Sequence, residues 1–231
     1  MVAIDGPGGA GKTTVAAEVA RRIGGLCFDT GVVYRTLALV ALEQGVALDD
    51  EERLAQLAHR LQVRVTPPAT QDGRLYDVWL DGREVTWDIR APDIDRAASL
   101  VASFPKVRAA LLPLQRAIGR SGRVVMAGRD IGTVVMPDAA VKVWLNASLE
   151  ERARRRQRDL AARGMVLSLD EVVAELAQRD RRDAERAVAP MRPAEDAVVI
   201  DTDGHSIDQV VRLVLELIEE RCGSARGVEP S

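Results

Sequence analysis

The chain has 231 residues, of which 47% are hydrophobic and 29% are charged, and its formal net charge is −3. The length fits one large domain or one domain with inserted subdomains. The composition is typical of a soluble globular protein, and no apolar run approaches the roughly 20 residues of a membrane span. The negative charge argues against a general nucleic-acid binder, which works by neutralising phosphates. Cys27 and Cys222 lie far apart, which excludes a disulfide scaffold and a CxxC metal site. The first residues run directly into a glycine-rich loop and leave no room for a signal peptide, so we expect a cytoplasmic protein.

Short β-rich runs alternate with longer helical runs, which predicts an α/β fold with a parallel sheet. The apolar runs predict strands at 2–5, 26–28, 123–126, 141–145 and 198–200. Apolar residues at helical spacing predict helices at 12–23, 31–45, 50–61, 90–103, 105–120, 148–163, 169–187 and 206–221. Residues 223–231, which contain Gly, Ser and Pro with little apolar content, are predicted to be a disordered tail.

Residues 62–88 interrupt this alternation. Pro67-Pro68 and Asp72-Gly73 indicate turns, and the alternating run at 76–80 precedes an Asp81-Gly82 hairpin signal. We therefore expect a small antiparallel insertion that caps or gates a substrate site.

A glycine-rich phosphate loop follows the first predicted strand. Its sequence, GPGGAGKT, matches G-x-x-x-x-G-K-[ST] and stands between a strand and a helix, where that motif belongs. Glycines let backbone N–H groups turn toward a β-phosphate, Lys12 would bridge the β- and γ-phosphates, and Thr13 would reach Mg²⁺. Thr13 is the predicted metal ligand. The predicted nucleotide-binding residues are Gly6, Pro7, Gly8, Gly9, Ala10, Gly11, Lys12, Thr13 and Thr14.

The loop identifies a phosphoryl donor but leaves the acceptor open. A GTPase would carry Asn-Lys-x-Asp, whereas the only asparagine is Asn146 and alanine follows it, so that class is excluded. A motor or transporter ATPase would end an apolar strand on an acidic residue, whereas 123–126 leads into Ala127, which weakens that class. A kinase for a hydroxyl acceptor stays open, with Asp29 as its base, and so does a nucleotide-binding module without turnover.

Arginines point to a phosphate as the acceptor. In the run 178–186, Arg179, Asp183 and Arg186 are spaced i, i+4 and i+7 and would share one helix face. Such a face is either a solvated, salt-bridged surface or a phosphate site. A phosphate acceptor is largely ionised near neutral pH, so its phosphorylation requires positioning and charge neutralisation more than a base.

The run 150–158 has a plainer interpretation. Glu150–Arg154 and Glu151–Arg155 are i,i+4 pairs, which are typical of a solvated, salt-bridged helix. We expect most of this run to lie on the surface, and contact between some of its arginines and ATP stays open.

Five segments together resemble bacterial cytidylate kinase: GPGGAGKTT at 6–14, DTGVVYR at 29–35, SLVASFPKVR at 99–108, GRDIGTVVMPDA at 128–139 and RDRRDAERAVAP at 179–190. The resemblance spans nearly the whole chain. It implies an adenylate-kinase-like P-loop fold, in which a five-stranded parallel sheet is flanked by helices and carries an inserted monophosphate-binding subdomain and a short lid. The single kinase domain would then comprise a core at 1–34, 109–149 and 167–222, the insertion at 35–108, and the lid at 150–166.

The resemblance also implies a reaction, the transfer of the γ-phosphoryl group from ATP, with Mg²⁺, to CMP or dCMP. The partners would be these nucleotides alone, without nucleic acid or membrane, and we expect a monomer. The implied catalytic residues are Lys12, Arg129, Arg179 and Arg186. Thr30, Arg35, Arg129 and Arg186 would surround the acceptor phosphate, Arg179 would join the transferring group, and Asp183 would hold the ribose hydroxyls.

Ser99, Arg108 and Asp130 would contact the base, as the resemblance implies. Cytosine presents an N4 amino donor beside the N3 and O2 acceptors, so a carboxylate accepts from N4 while arginine donates to the ring edge. Uracil presents O4, which a carboxylate repels.

Two positions depart from the family pattern. Gly8 replaces a common serine, which matters little because backbone amides bind the phosphates. Ala127 stands where Asp or Glu is usual, so no metal role is assigned beyond Thr13.

Overall fold

The structure, a computed structural model, describes residues 1–162 and 164–223. Its strands are β1 (Val2–Asp5), β2 (Leu26–Asp29), β3 (Val63–Thr66), β4 (Asp77–Leu80), β5 (Arg83–Glu84), β6 (Val124–Gly128), β7 (Val141–Asn146) and β8 (Val198–Asp201). Its α-helices are α1 (Lys12–Arg22), α2 (Gly31–Glu43), α3 (Glu51–Arg60), α4 (Pro92–Val101), α5 (Pro105–Gly119), α6 (Leu149–Ala162), α7 (Leu169–Ala184) and α8 (Ile207–Gly223).

Five strands form one sheet in the order β2-β6-β1-β7-β8. Strand β7 pairs in parallel with β1, with Ile4 opposite Val143, and with β8, with Leu145 opposite Ile200. The inner strands are continuous apolar runs with buried side chains, as expected for parallel strands covered on both faces. The predicted α/β fold with a five-stranded parallel sheet is confirmed.

The remaining strands form an antiparallel sheet in the order β3-β4-β5. Val65 of β3 lies opposite Val78 of β4. The turn between β4 and β5 is formed by Asp81 and Gly82, whose φ angles of 49° and 84° are both positive, as a tight hairpin requires. The antiparallel segment predicted within 62–88 is thus present.

The helices match the predicted ranges to within three residues at each end, and the ends of α4, α7 and α8 show the reasons for the differences. Instead of beginning at residue 90, α4 begins at Pro92, after a 3-10 turn at Asp88–Arg90, because proline is favoured in a first helical turn. Helix α7 ends at Ala184, short of the predicted 187. Helix α8 continues to Gly223, so the predicted tail begins inside a helix, and its remaining residues, 224–231, lie outside the described part.

A π-helical turn at Ile131–Val135 was not predicted. Its defining hydrogen bonds run from the N–H of Val135 to the carbonyl of Asp130 (3.1 Å) and from the N–H of Met136 to the carbonyl of Ile131 (2.7 Å). Such turns are rare and often mark functional sites.

The chain divides into two compact units. The first contains residues 1–19 and the chain from Ala127 onward, and the second contains Ala20–Met126. The limits expected for core, insertion and lid stay predictions, and Arg163 of the expected lid lies outside the described residues.

No single helix in the described ranges is long and apolar enough to cross a membrane. Within those ranges, only α4 and α5 taken together have the length and apolar composition of a membrane span. The two helices are bent by 105° relative to each other.

Replacing Ser168 tests the cap of α7, the helix that carries several predicted site residues. The Ser168 hydroxyl accepts from the N–H of Glu171 (3.3 Å), and the Glu171 carboxylate accepts from the N–H of Ser168 (2.8 Å). Losing this cap should lower the free energy of unfolding of Ser168→Ala by about 1 kcal/mol in urea denaturation. The control is Ser103→Ala, whose hydroxyl donates to the Leu100 carbonyl. It should cost less than half as much, and equal losses would contradict the capping role.

Candidate active site

The phosphate loop connects β1 to α1 and is built largely from buried backbone. Gly6 has a φ of 147°, and a Cβ there would lie 2.1 Å from the carbonyl oxygen of Leu145, so no other residue fits. Lys12 is buried, and its Nζ donates to the carbonyl of Pro7 at 2.6 Å, which folds the ammonium back across the loop. The loop therefore presents one cation and the N-terminus of α1 to an anion.

Asp5, the last residue of β1, ties the loop strand to the π-helical turn. Its Oδ1 accepts from the N–H of Ile131 (2.8 Å) and its Oδ2 from the N–H of Gly132 (2.7 Å). Burial raises the pKa of Asp5 to about 6, although these two hydrogen bonds act in the opposite direction. The negative charge of Asp130 raises this pKa further, and the positive charge of Lys12 lowers it.

Arg129 and Arg186 are joined by one buried carboxylate in the first unit. Nε of Arg129 donates to Oδ2 of Asp183 at 3.0 Å, and Nη2 of Arg186 donates to Oδ1 of the same residue. Asp183 is 3% exposed, so it is not on a solvated helix face. Arg186 lies beyond the end of α7, yet it still pairs with Asp183. Arg179 is half-buried on the same helix.

Arg152 and Asp180 are functional candidates that sequence reasoning missed. Arg152 is buried, and its Nη1 donates to the Gly8 carbonyl (3.0 Å) and to Asp180, while its Nε donates to the Ala147 carbonyl (3.0 Å). The run 150–158 was expected on the surface, which is right for the exposed Glu150–Arg154 pair and wrong for Arg152. The available signal was spacing, because Arg152 follows Leu149 by three residues and precedes Leu160 by eight, on the apolar face of α6.

The second unit contains an arginine held by two carboxylates. Nε of Arg35 donates to Oδ1 of Asp95 at 2.8 Å, and its Nη1 lies 3.9 Å from Oδ2 of Asp29. Burial alone would lower the pKa of Arg35, but the charges of Asp29 and Asp95 outweigh it, and the pKa lies above its usual value. A Cβ on Gly31 would lie 2.9 Å from Nη1 of Arg35, so a larger residue there would require the guanidinium to move.

Asp29 is therefore engaged in structure and is a poor candidate for a free base. Its Oδ1 accepts from the N–H of Gly31 at 2.8 Å, at the start of α2, and its other oxygen faces Arg35. Both carboxylate oxygens thus already have partners, so neither is placed as a free acceptor for the proton of a hydroxyl. The hypothesis of a hydroxyl acceptor loses the base it needs.

Arg108, which is predicted to contact the nucleobase of the acceptor, is buried on α5. Its guanidinium lies 5.6 Å from the centre of the Tyr34 ring, and its Nη1 donates to the Ala102 carbonyl at 3.2 Å. The Tyr34 hydroxyl in turn accepts from Gln115 at 3.3 Å. These contacts fix the direction of the guanidinium plane.

The predicted site residues fall into both units. The phosphate loop, Arg129, Asp130, Arg179, Asp183 and Arg186 belong to the first, and Thr30, Arg35, Ser99 and Arg108 belong to the second. Within the first unit, the structure brings Arg129, Asp183 and Arg186 together, and a Cβ on Gly8 would lie 3.5 Å from Nη2 of Arg129. Thr30 is buried where α2 begins, and Ser99 is half-buried on α4. The individual roles of these residues stay predictions.

Comparison with known proteins gives consistent matches. The family model described as "Cytidylate kinase" matches residues 2–220. A bifunctional pantoate ligase/cytidylate kinase of Synechococcus sp. (strain JA-3-3Ab) is 50% identical over 97% of this chain, which spans 42% of that protein. A cytidylate kinase of Chloroflexus aggregans (strain MD-66 / DSM 9485) is 49% identical over 93% of this chain and 91% of that protein. An uncharacterized protein from Eubacterium ventriosum ATCC 27560 is similar in fold alone, with a TM-score of 0.50 and 11% identity over 95% of this chain and 98% of that one.

Titration of Asp5 should be visible in the pH dependence of stability. Because its pKa of about 6 lies above the ordinary 3.8, the folded protein holds the proton more tightly than the unfolded chain. The contribution of Asp5 to stability is therefore full below about 3.8 and is lost as the pH rises through about 6. Between pH 5 and pH 8, the free energy of unfolding should fall by roughly 1.4 kcal/mol more for the wild type than for Asp5→Asn. A difference between the two proteins that does not depend on pH would contradict this assignment.

Proposed function

The chain belongs to the cytidylate kinase family, and from this premise we propose that it transfers the γ-phosphoryl group of ATP to CMP or dCMP, giving CDP or dCDP. One observation carries the proposal: the unit that contains the phosphate loop also holds Arg129 and Arg186 on the buried carboxylate of Asp183. Two guanidinium groups beside a phosphate loop suit a reaction in which the acceptor is itself a phosphate.

The donor half of the reaction needs the loop and a metal. The loop amides and Lys12 would bind the β- and γ-phosphates, and the Thr13 hydroxyl would be the one protein ligand of Mg²⁺. Mg²⁺ often takes few protein ligands and completes its shell with phosphates and water, so a site with one hydroxyl fits it. When bound, the metal neutralises charge that develops on the phosphate oxygens.

The acceptor half needs arginines and no base. Arg35, Arg129 and Arg186 would neutralise the acceptor phosphate, and Arg179 would join the transferring group. The ion pairs to Asp29, Asp95 and Asp183 support these roles, because an arginine already oriented by a carboxylate loses little freedom when phosphate arrives.

Three further residues would bind the nucleobase of the acceptor. Ser99, Arg108 and Asp130 would contact cytosine, as its donor and acceptor pattern requires. The orientation of Arg108 by Tyr34 supports this role. We propose a cytoplasmic monomer that acts on free nucleotides and binds neither nucleic acid nor membrane.

A panel of nucleoside monophosphates tests the acceptor directly. With ATP and Mg²⁺, CMP and dCMP should be converted to diphosphates, and the kcat/KM for UMP should be lower by about tenfold to a hundredfold. Product would be identified by chromatography. Turnover of UMP or AMP without CMP would refute the base assignment, and donor binding without any product would favour a module that only binds nucleotide.

Asp130→Asn gives the matched test of base selection. The amide can face either O4 or N4, so the preference for CMP over UMP should fall by about tenfold or more while turnover of UMP is retained. Unchanged preference would remove Asp130 from the base site.

Arg186→Ala should lower kcat far more than it weakens ATP binding. Its charge is needed as negative charge shifts between phosphates, so a decrease in kcat of about a hundredfold is expected. The control is Arg181→Ala, an exposed arginine in the last turn of α7, which should leave kcat within twofold. Equal effects of the two variants would contradict a role for Arg186 in the reaction.

A further inference from the structure

The peptide units of Gly8 in the phosphate loop are held on both sides by one ion pair. The N–H of Gly8 donates to Oδ1 of Asp180 at 3.3 Å, and the Gly8 carbonyl accepts from Nη1 of Arg152 at 3.0 Å. The same Nη1 donates to Oδ2 of Asp180, which closes the arrangement. We call Arg152, Asp180 and the Gly8 peptide units the loop clasp.

The clasp connects three segments of the first unit. Arg152 lies on α6 and Asp180 on α7, and the two helices pack through a shared apolar cluster. A Cβ on Gly9 would lie 3.0 Å from Cβ of Arg152, so the loop and the helix backbone are in close contact. The first half of the loop therefore cannot shift without moving α6 and α7.

Charge gives the clasp a second consequence. Asp180 places a carboxylate beside a loop that would bind an anionic triphosphate, and that carboxylate alone would repel the ligand. Arg152, whose side chain is 8% exposed, compensates this charge at close range. Its Nε is held by the Ala147 carbonyl at 3.0 Å, so the guanidinium is fixed in direction.

We propose that Arg152 and Asp180 are positioning residues for the phosphoryl donor, which hold the Gly8 peptide units in the shape that binds a triphosphate. Arg152 acts through two effects, the hydrogen bond to the loop and the compensation of Asp180. The inference rests on the proposed function only in that the loop binds ATP. It does not depend on which monophosphate accepts the phosphoryl group.

Binding of a non-hydrolysable ATP analogue with Mg²⁺, measured by calorimetry, tests the clasp independently of turnover. Arg152→Ala should raise the Kd of the analogue by about tenfold or more, since a hydrogen bond to a charged group is lost and Asp180 is left uncompensated. Asp180→Asn should raise it by about threefold or less. The double variant should bind more tightly than Arg152→Ala alone, because removing the carboxylate relieves the repulsion.

The control is Arg154→Ala on the same helix, in an exposed pair with Glu150, which should leave the Kd unchanged. A double variant that binds more weakly than Arg152→Ala would overturn the proposal, and so would an Arg152→Ala protein that binds as tightly as the wild type. Failure of the proposed function has a different signature, since CMP would then give no product while the wild type still binds the analogue.

A second measurement covers the case in which Arg152→Ala does not fold. In glycine-labelled protein, the amide proton of Gly8 should shift upfield in Asp180→Asn, because a neutral acceptor replaces a carboxylate. The amide of Gly24, which donates to the Arg21 carbonyl, is the internal control and should stay in place. An unchanged Gly8 signal would overturn the clasp.

Discussion

The arginines that we propose as phosphate ligands would repel one another before a phosphate binds, and in both units carboxylates offset this repulsion. Asp183 holds Arg129 and Arg186, and Asp95 and Asp29 hold Arg35. Without these partners, the half-buried guanidinium groups would lose hydration without gaining a compensating charge, which is destabilising. The acidic residues are therefore as much a part of a phosphate site as the basic ones.

The same pairing explains why a site rich in arginine can be ordered before substrate binds. Carboxylate pairs use some of the five N–H donors of a guanidinium and leave others for an incoming phosphate. In Arg35, Nε donates to Asp95. This bond orients the guanidinium without using all of its N–H donors. Groups that are oriented in advance need little reorganisation as charge shifts during transfer, which is the main source of electrostatic catalysis.

Local pattern predicts most of the fold, and long-range contacts decide most of the site. The core strands were predictable because strands buried on both faces are continuous apolar runs, such as Val124–Gly128. The π-helical turn was not, because Asp5, 126 and 127 residues away in sequence, accepts its first N–H groups. Charge pattern placed Arg154 correctly on the surface but gave no sign that Arg152, two positions earlier, is buried against the phosphate loop.

Asp5 shows how one residue can connect two segments of the site at the cost of burying a charge. It immediately precedes the phosphate loop, and both of its oxygens are bonded to the turn that follows Arg129 and Asp130. Burial makes its ionised form costly, as its raised pKa of about 6 indicates, yet a neutral side chain of the same shape could not accept both N–H groups. A charge is therefore kept although its burial is costly, because an apolar residue would leave both buried N–H groups of the turn without an acceptor.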